Sequence, residues 1–359
     1  MHSPAGRLCQ RPRALAILAR VPRLPAERIA LVKLGALGDV VNSLPFVNRL
    51  RAGYPDARLC WIIGPAAHAL VRGHRAVDEF RVFDVRHKSS WPFFVRELRA
   101  QRFDLAIDLQ RILKSGLITR ASGAPLRLGF DRARCKEQSH VFTNRRIPAN
   151  PSPGVTVAQY LEFAEYLECP PGEPRWDLPL APVPAPEEGE RRVVIAVGAT
   201  KSANRWSAQQ WARLAQRLVR ECGVRVHLVG GPEDRAAIDE LKKHTLVELV
   251  DHAGRLTLQE SAGLIAGAEL FVSGDTGPLH IAVALGRPVV ALFGAADPAR
   301  TGPFGQPGNV VRHAVECSPC RKHECPVAGH PCMRDLDVET VFAAAARVLG
   351  ERRPVHARS

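Results

Sequence analysis

Two short stretches carry the residue types needed to move a group off a diphosphate. The first is Lys33-Leu34-Gly35-Ala36-Leu37-Gly38-Asp39. A carboxylate at the mouth of a glycine turn can take a proton from a sugar hydroxyl. It can equally cap a helix, and position alone leaves both roles open. The second is Ser273-Gly274-Asp275-Thr276-Gly277-Pro278-Leu279-His280. Two glycines, a hydroxyl and a helix start make a cradle for a diphosphate. Thr276 can donate a hydroxyl bond, and the backbone N–H groups near Gly277 can donate without desolvating a charge. Asp275 would repel phosphate, so it is expected to orient backbone donors, hold a sugar hydroxyl or cap the helix. His280 suits a phosphate or sugar contact, or a satisfied place in the core.

A third stretch, Ala199-Thr200-Lys201-Ser202-Ala203-Asn204-Arg205-Trp206, supplies cations. Lys201 and Arg205 can stabilise a departing nucleoside diphosphate as its charge develops, with Thr200 beside them; ordinary surface charge is the alternative. Glu233 follows a Gly-Gly-Pro turn, where a carboxylate can accept both hydroxyls of a ribose. The loop from Gly294 through Gly302 to Gly305 can close over such a ligand.

Rigid elements must hold these residues. Apolar runs predict strands at 29–34, 57–63, 103–109, 126–130, 192–197, 224–229, 270–273 and 289–293, with more polar ones at 77–85 and 246–251. Helical patterns fill 40–50, 91–101, 112–120, 157–167, 207–221, 234–243, 259–266, 277–285 and 336–349. Pro45 is expected to kink or offset the first helix, and Ser207 to cap the fifth. Strand and helix alternate in both halves, which predicts an α/β chain of two Rossmann-like domains facing across a cleft. A proline-rich stretch from Pro170 to Pro186 reads as a semi-rigid linker. The divisions are a basic extension at 1–28, a first domain at 29–178, a linker at 179–190, a second domain at 191–349 and a basic tail at 350–359. The last helix is expected to cross back to the first domain.

Bulk numbers narrow the classes. The chain has 359 residues, enough for two domains, and no apolar run long enough to cross a bilayer. Its net charge is +14. Residues 1–180 hold 28 Lys or Arg against 16 acids, and the remainder 22 against 20. A basic front half suits an anionic partner such as a phosphorylated glycan or a membrane surface. Aromatics are only 6%, with no basic–aromatic interleaving, so nucleic acid is not expected. Residues 1–28 carry six arginines with short apolar pieces, and do not make a convincing secretory signal. Nine cysteines, five of them scattered, argue for a reducing compartment over a disulfide scaffold.

Taken together, these residues resemble the family-nine glycosyltransferases, the ADP-heptose:lipopolysaccharide heptosyltransferases. The anchors are Val32 to Asp39 with Leu44-Pro45, then Arg205-Trp206, then Asp275-Thr276-Gly277 with His280, then Leu292-Phe293-Gly294. The resemblance spans about residues 29 to 349 and implies the GT-B fold, with the nucleotide sugar held by the second domain and the acceptor by the first. It implies an inverting transfer from ADP-L-glycero-D-manno-heptose to the lipopolysaccharide inner core. Asp39 would be the base. Asp275, Thr276 and Gly277 would line the donor site, with Lys33, Gly35 and Gly38 on the acceptor-side loop. The family often has a lysine where Asn204 stands, so Lys201 or Arg205 is expected to supply that charge. A phosphorylated acceptor at the cytoplasmic face of the inner membrane would suit the basic half.

One cluster stands apart. Cys317, Cys320, Cys325 and Cys332 fall within sixteen residues, with His323 and His330 among them. Four thiolates at such spacing can hold a structural zinc, and the resemblance, through family members that carry a cysteine-bound metal finger, implies iron as a second choice; reduced or disulfide-linked cysteines bracing a loop are the alternative. Catalysis itself is expected to need no metal. Two other classes remain on residues alone: a nicotinamide-dependent oxidoreductase, which here lacks a full GxGxxG fingerprint, and a non-enzymatic binder of anionic ligands.

Overall fold

The structure, a computed structural model, describes residues 24–84 and 91–350. The basic extension up to residue 23 and the tail beyond 350 lie outside the described residues. The first half runs β1 (Arg28–Val32), α1 (Leu37–Gly53), β2 (Arg58–Ile63), α2 (Pro65–Val71), β3 (Glu79–Val82), α3 (Trp91–Ala100), β4 (Leu105–Asp108), α4 (Leu113–Ala121), β5 (Leu126–Gly129), β6 (Arg145–Arg146) and α5 (Thr156–Tyr166). The second runs β7 (Arg192–Ala196), α6 (Ala208–Cys222), β8 (Arg225–Val229), α7 (Arg235–Lys243), β9 (Val250–Asp251), α8 (Leu258–Ala266), β10 (Leu270–Gly274), α9 (Gly277–Ala284), β11 (Val289–Leu292), α10 (Pro298–Thr301), β12 (Val310–Val311), α11 (Pro331–Arg334) and α12 (Val338–Gly350).

Each half builds one six-stranded sheet, and every pairing in both is parallel. The orders are β3-β2-β1-β4-β5-β6 and β12-β11-β10-β7-β8-β9. Counted from the first strand of each half, these are the same doubly wound order. The strand order reverses between β1 and β4, and again between β7 and β10, and ligands enter such sheets at the carboxyl ends beside that switch. Central strands are buried on both faces, which is why β1 and β7 read as continuous apolar runs.

Helices α1 and α9 are buried nearly all round because each is trapped between its own sheet and the other half. One apolar cluster runs without a break from Val41, Phe46 and Tyr160 to Phe271, Leu279 and Ile281. The halves therefore share a seam, tied at its edges by Gln259 Nε2 to the carbonyls of Leu70 and Arg72 (both 3.1 Å) and by Thr156 Oγ1 to that of Arg300 (2.9 Å).

Several expectations change. Pro45 lies inside one continuous helix and does not offset its start. A helix absent from the sequence reading follows β2: Pro65 opens α2, where its missing N–H costs nothing. Only Val250–Asp251 of the strand read at 246–251 forms, since Leu246 is 91% exposed and stands off the sheet. The last helix does not cross back. Helix α12 packs on α6 and on β10, β11 and β12, through Val341, Phe342, Ala345 and Val348. The proline-rich stretch contains no helix or strand up to Arg191, and it is tacked to the first half by Asn48 Nδ2 donating to the Arg175 carbonyl at 2.7 Å.

Candidate active site

At the carboxyl end of β1, Lys33 is 1% exposed and its Nζ meets Asp39 Oδ2 at 3.1 Å. Asp39 sits in the first turn of α1, with its side chain about a third open to solvent (32%). Burial works against its charge, but the Lys33 ammonium, helped by Arg111, outweighs burial and holds the carboxyl below its ordinary value. Burial likewise opposes the charge on Lys33, while Asp39 and Tyr160 pull its pKa above the usual value. The ammonium also lies 5.5 Å from the centre of the Tyr160 ring. The pair is charged at neutral pH. Lys33 is buried just past the end of β1 and acts on Asp39 from beneath.

The turn between them is held from β4. Gln110 Oε1 accepts from the N–H groups of Leu34 (3.1 Å) and Gly35 (3.3 Å). Arg111 has a left-handed backbone, φ 68°, and its guanidinium stacks 4.5 Å from the centre of the Phe130 ring. Sequence reasoning passed over both residues, though they follow the strand beside β1, where switch-point topology would have pointed.

His280 comes to this turn from the other half. Asn42 Nδ2 donates to His280 Nδ1 at 3.2 Å, and that choice of amide orientation leaves the ring proton on Nε2. Nε2 lies 3.9 Å from Asp275 Oδ1. Burial pushes the imidazole pKa down, against the pull of Asp275 and Asp39, so the ring is neutral. Asp39 and the Asp275–Gly277 turn therefore stand around one histidine, on the two rims of a single crevice. A Cβ at Gly38 would overlap the His280 ring, and one at Gly277 would come within 3.0 Å of Leu37 Cδ2. Both motif glycines serve the fit of the two halves. Gly35 has open space beside it. Gly38→Ala is accordingly expected to cost about 1–3 kcal/mol of stability by overpacking, read as a lower thermal midpoint, with weaker nucleotide binding alongside. An unchanged midpoint would mean that this seam does not form in solution.

On the donor rim, Thr276 precedes α9 without bonding it, and its Oγ1 is buried with no partner. The Thr276 hydroxyl is thus a buried polar group without a partner at the start of a helix. Burial raises the Asp275 pKa, while His280, the Thr301 hydroxyl, Lys201 and Arg300 act to keep it charged. Lys201 and Arg300 are therefore the cations that act on Asp275. Arg205 is exposed, bonds the Ala199 carbonyl at 3.3 Å, and acts on Asp234. Asn204 is 5% exposed, and its Oδ1 accepts from Ala296 N at 3.2 Å, so this position pins two loops together. Thr200 is exposed near Lys201. Glu233 is exposed at the end of β8 and folds over Gly231. Its neighbour Asp234, which sequence reasoning missed, accepts from Gly231 N at 3.0 Å and occupies the space a Cβ on Gly198 would need.

The cysteine loop leans on these donor loops. Ala203 N and Ser202 Oγ donate to the His323 carbonyl (3.1 and 3.2 Å), and His330 Nε2 donates to the Ala203 carbonyl (2.7 Å). On the other side, Ser318 Oγ bonds the Gly294 carbonyl at 2.6 Å and Arg321 pairs with Asp297. Cys317, Cys320, Cys325 and Cys332 are all free thiols. Burial, reinforced by the other three, pushes the Cys332 thiol up to about 11. The sulfurs converge on Cys332, yet among the described residues no three His, Cys, Asp or Glu side chains gather as a bound metal requires.

Residues 92–330 match the family model described as glycosyltransferase family 9 (heptosyltransferase). The chain is 25% identical over 297 residues to the lipopolysaccharide core heptosyltransferase OpsX of Haemophilus influenzae, covering 79% of this chain and 84% of that protein. It is 28% identical over 314 residues to lipopolysaccharide heptosyltransferase 1 of Pseudomonas aeruginosa, covering 83% and 87%. The solved structure of the Escherichia coli ADP-heptose lps heptosyltransferase II superposes with a TM-score of 0.72 at 23% identity, covering 90% of this chain and 99% of that one.

Proposed function

Because the chain belongs to glycosyltransferase family 9, the heptosyltransferases, we propose that it moves heptose from an ADP-heptose donor onto the inner core of lipopolysaccharide. The named relatives are lipopolysaccharide heptosyltransferases, one of them named for the lipopolysaccharide core, and the fold is the two-domain GT-B arrangement. A full dinucleotide fingerprint is lacking, which disfavours the oxidoreductase reading. A simple anionic-ligand binder would have no use for a carboxylate–lysine pair facing the donor turn.

The observation that carries the reading is that Asp39 and Asp275 both act on His280, with the unpaired Thr276 hydroxyl at the start of the same helix. Asp39 takes the proton of the acceptor hydroxyl, and that oxygen attacks the anomeric carbon from the face away from ADP. The bond to the diphosphate breaks as the new one forms, so the configuration inverts. Charge growing on ADP meets the start of α9, Thr276 and Lys201. Asp275 holds the sugar side of the donor, and Glu233 is placed for the ribose.

The finer acceptor proposed is phosphorylated Kdo–lipid A or its heptosyl product, met at the cytoplasmic face of the inner membrane. No helix among the described residues is long and apolar enough to cross a membrane, so contact with the bilayer would be peripheral. The test is a panel of nucleotide sugars with truncated core acceptors, read by mass. Addition of one heptose from ADP-heptose supports the proposal; transfer only of another sugar, or only to a protein, overturns it.

We assign the cysteine loop a structural part. The loop itself braces the segment that carries Lys201, through the His323 and His330 contacts; any zinc or iron its cysteines take up would be structural and outside the transfer step. Elemental analysis of the purified chain reads the metal directly.

A further inference from the structure

Eight large apolar side chains stand well exposed among the described residues, and four of them fall on the outer layer of the first domain. They are Phe93 (54%), Leu113 (44%), Leu117 (42%) and Val141 (61%). Leu113 and Leu117 lie one turn apart on α4, with Arg120 continuing the same stripe. The opposite side of that helix, through Ile118, is buried against the sheet with Phe94 and Leu98 of α3. Val141 belongs to a short 3₁₀ turn, Ser139–Phe142, that packs on α4 closely enough for a Cβ at Gly116 to overlap Phe142. Phe93 lies on α3, the helix beside α4. The apolar tips thus project from a firmly anchored layer.

Charge surrounds them. Residues 91–146 contain twelve Lys or Arg against five Asp or Glu, and Lys114 and Arg120 are exposed on α4 itself. Leu113 begins α4 two residues after Arg111, which acts on Asp39, so the patch reaches the lip of the crevice. Apolar tips in a basic field are what an anionic lipid surface rewards: side chains enter the headgroup boundary while cations meet phosphates. An acidic protein partner would leave the apolar tips without a matching environment.

We propose that the α3–α4 face is a docking surface for an anionic bilayer, seating the crevice lip against the membrane that carries the acceptor. The inference rests on the reading of a lipid-borne acceptor, but its test does not need transfer. The full chain is sedimented with vesicles of phosphatidylethanolamine and phosphatidylglycerol, and separately with phosphatidylcholine alone. The unaltered chain is expected to partition to the anionic vesicles. Leu113→Ser with Leu117→Ser, and independently Lys114→Glu with Arg120→Glu, are each expected to cut that partition by about tenfold. Only the charge-reversed pair should also flatten its salt dependence. Transfer to an acyl-free acceptor should be unchanged in both. Vesicle binding that follows this pattern without any heptosyl transfer would support the surface and sink the functional reading. Wild-type partition in both variants overturns the proposal. So does a leucine pair that dissociates a homodimer while leaving vesicle binding intact, since the patch would then be a subunit interface.

Discussion

Replacing Asp39 by Asn lowers heptosyl transfer by about 10²- to 10⁴-fold, the range a positioned general base supplies, while ADP binding stays close to that of the unaltered chain. An amide fills the same space but cannot take the proton. The substitution also strands the buried Lys33 ammonium, which costs stability in its own right. The double variant Asp39→Asn with Lys33→Met removes that stranded charge. It should recover thermal stability and remain inactive. Full turnover in Asp39→Asn, or recovery of turnover in the double variant, would remove Asp39 from the role of base.

Lys33→Met alone has the second largest effect. Asp39 then loses the cation that holds its carboxyl below the ordinary range, leaving Arg111 and a neutral His280 as the groups facing it. The acid limb of the pH–rate profile moves to higher pH, and transfer near neutral pH falls by about 10²-fold as the carboxylate loses its fixed position. A purely structural lysine would lower stability without moving that limb. The stability profile changes in a defined sense. Asp39, carried low, contributes above the ordinary carboxylate range and loses that contribution as pH falls through its own value. Lys33, carried high, contributes below the ordinary lysine value and loses it as pH rises through its raised one. Without Lys33 both dependences flatten.

Much of this arrangement was legible beforehand because its parts are local. Apolar runs ending in glycine turns announced β1, β7 and β10, and the residues just past them became the crevice rims. Ser207 caps α6 as its position suggested, accepting from Gln210 N at 3.2 Å. What escaped notice arises between segments far apart. Tyr160 reaches Lys33 across more than a hundred residues, and Asn42 meets His280 across 238. No spacing rule marks such partners. Gly38 shows a related limit. A glycine in a turn signals close approach, but not by what; here the approaching group is a histidine ring. Asn204 stands where the resembling family often has a lysine, whereas here its buried side chain pins two loops together.

The interlock of α1 with α9 has one more consequence. Two small notches, Gly38 and Gly277, receive two projecting side chains from opposite partners, His280 and Leu37. Such reciprocal seating resists sliding in either direction while leaving rotation about the contact comparatively free. That contact would serve as a fulcrum beneath Asp39 once the edge bonds of Gln259 and Thr156 give way. Rocking about it would swing the outer lips widely to admit donor and acceptor while the distance between Asp39 and the donor turn stays almost constant.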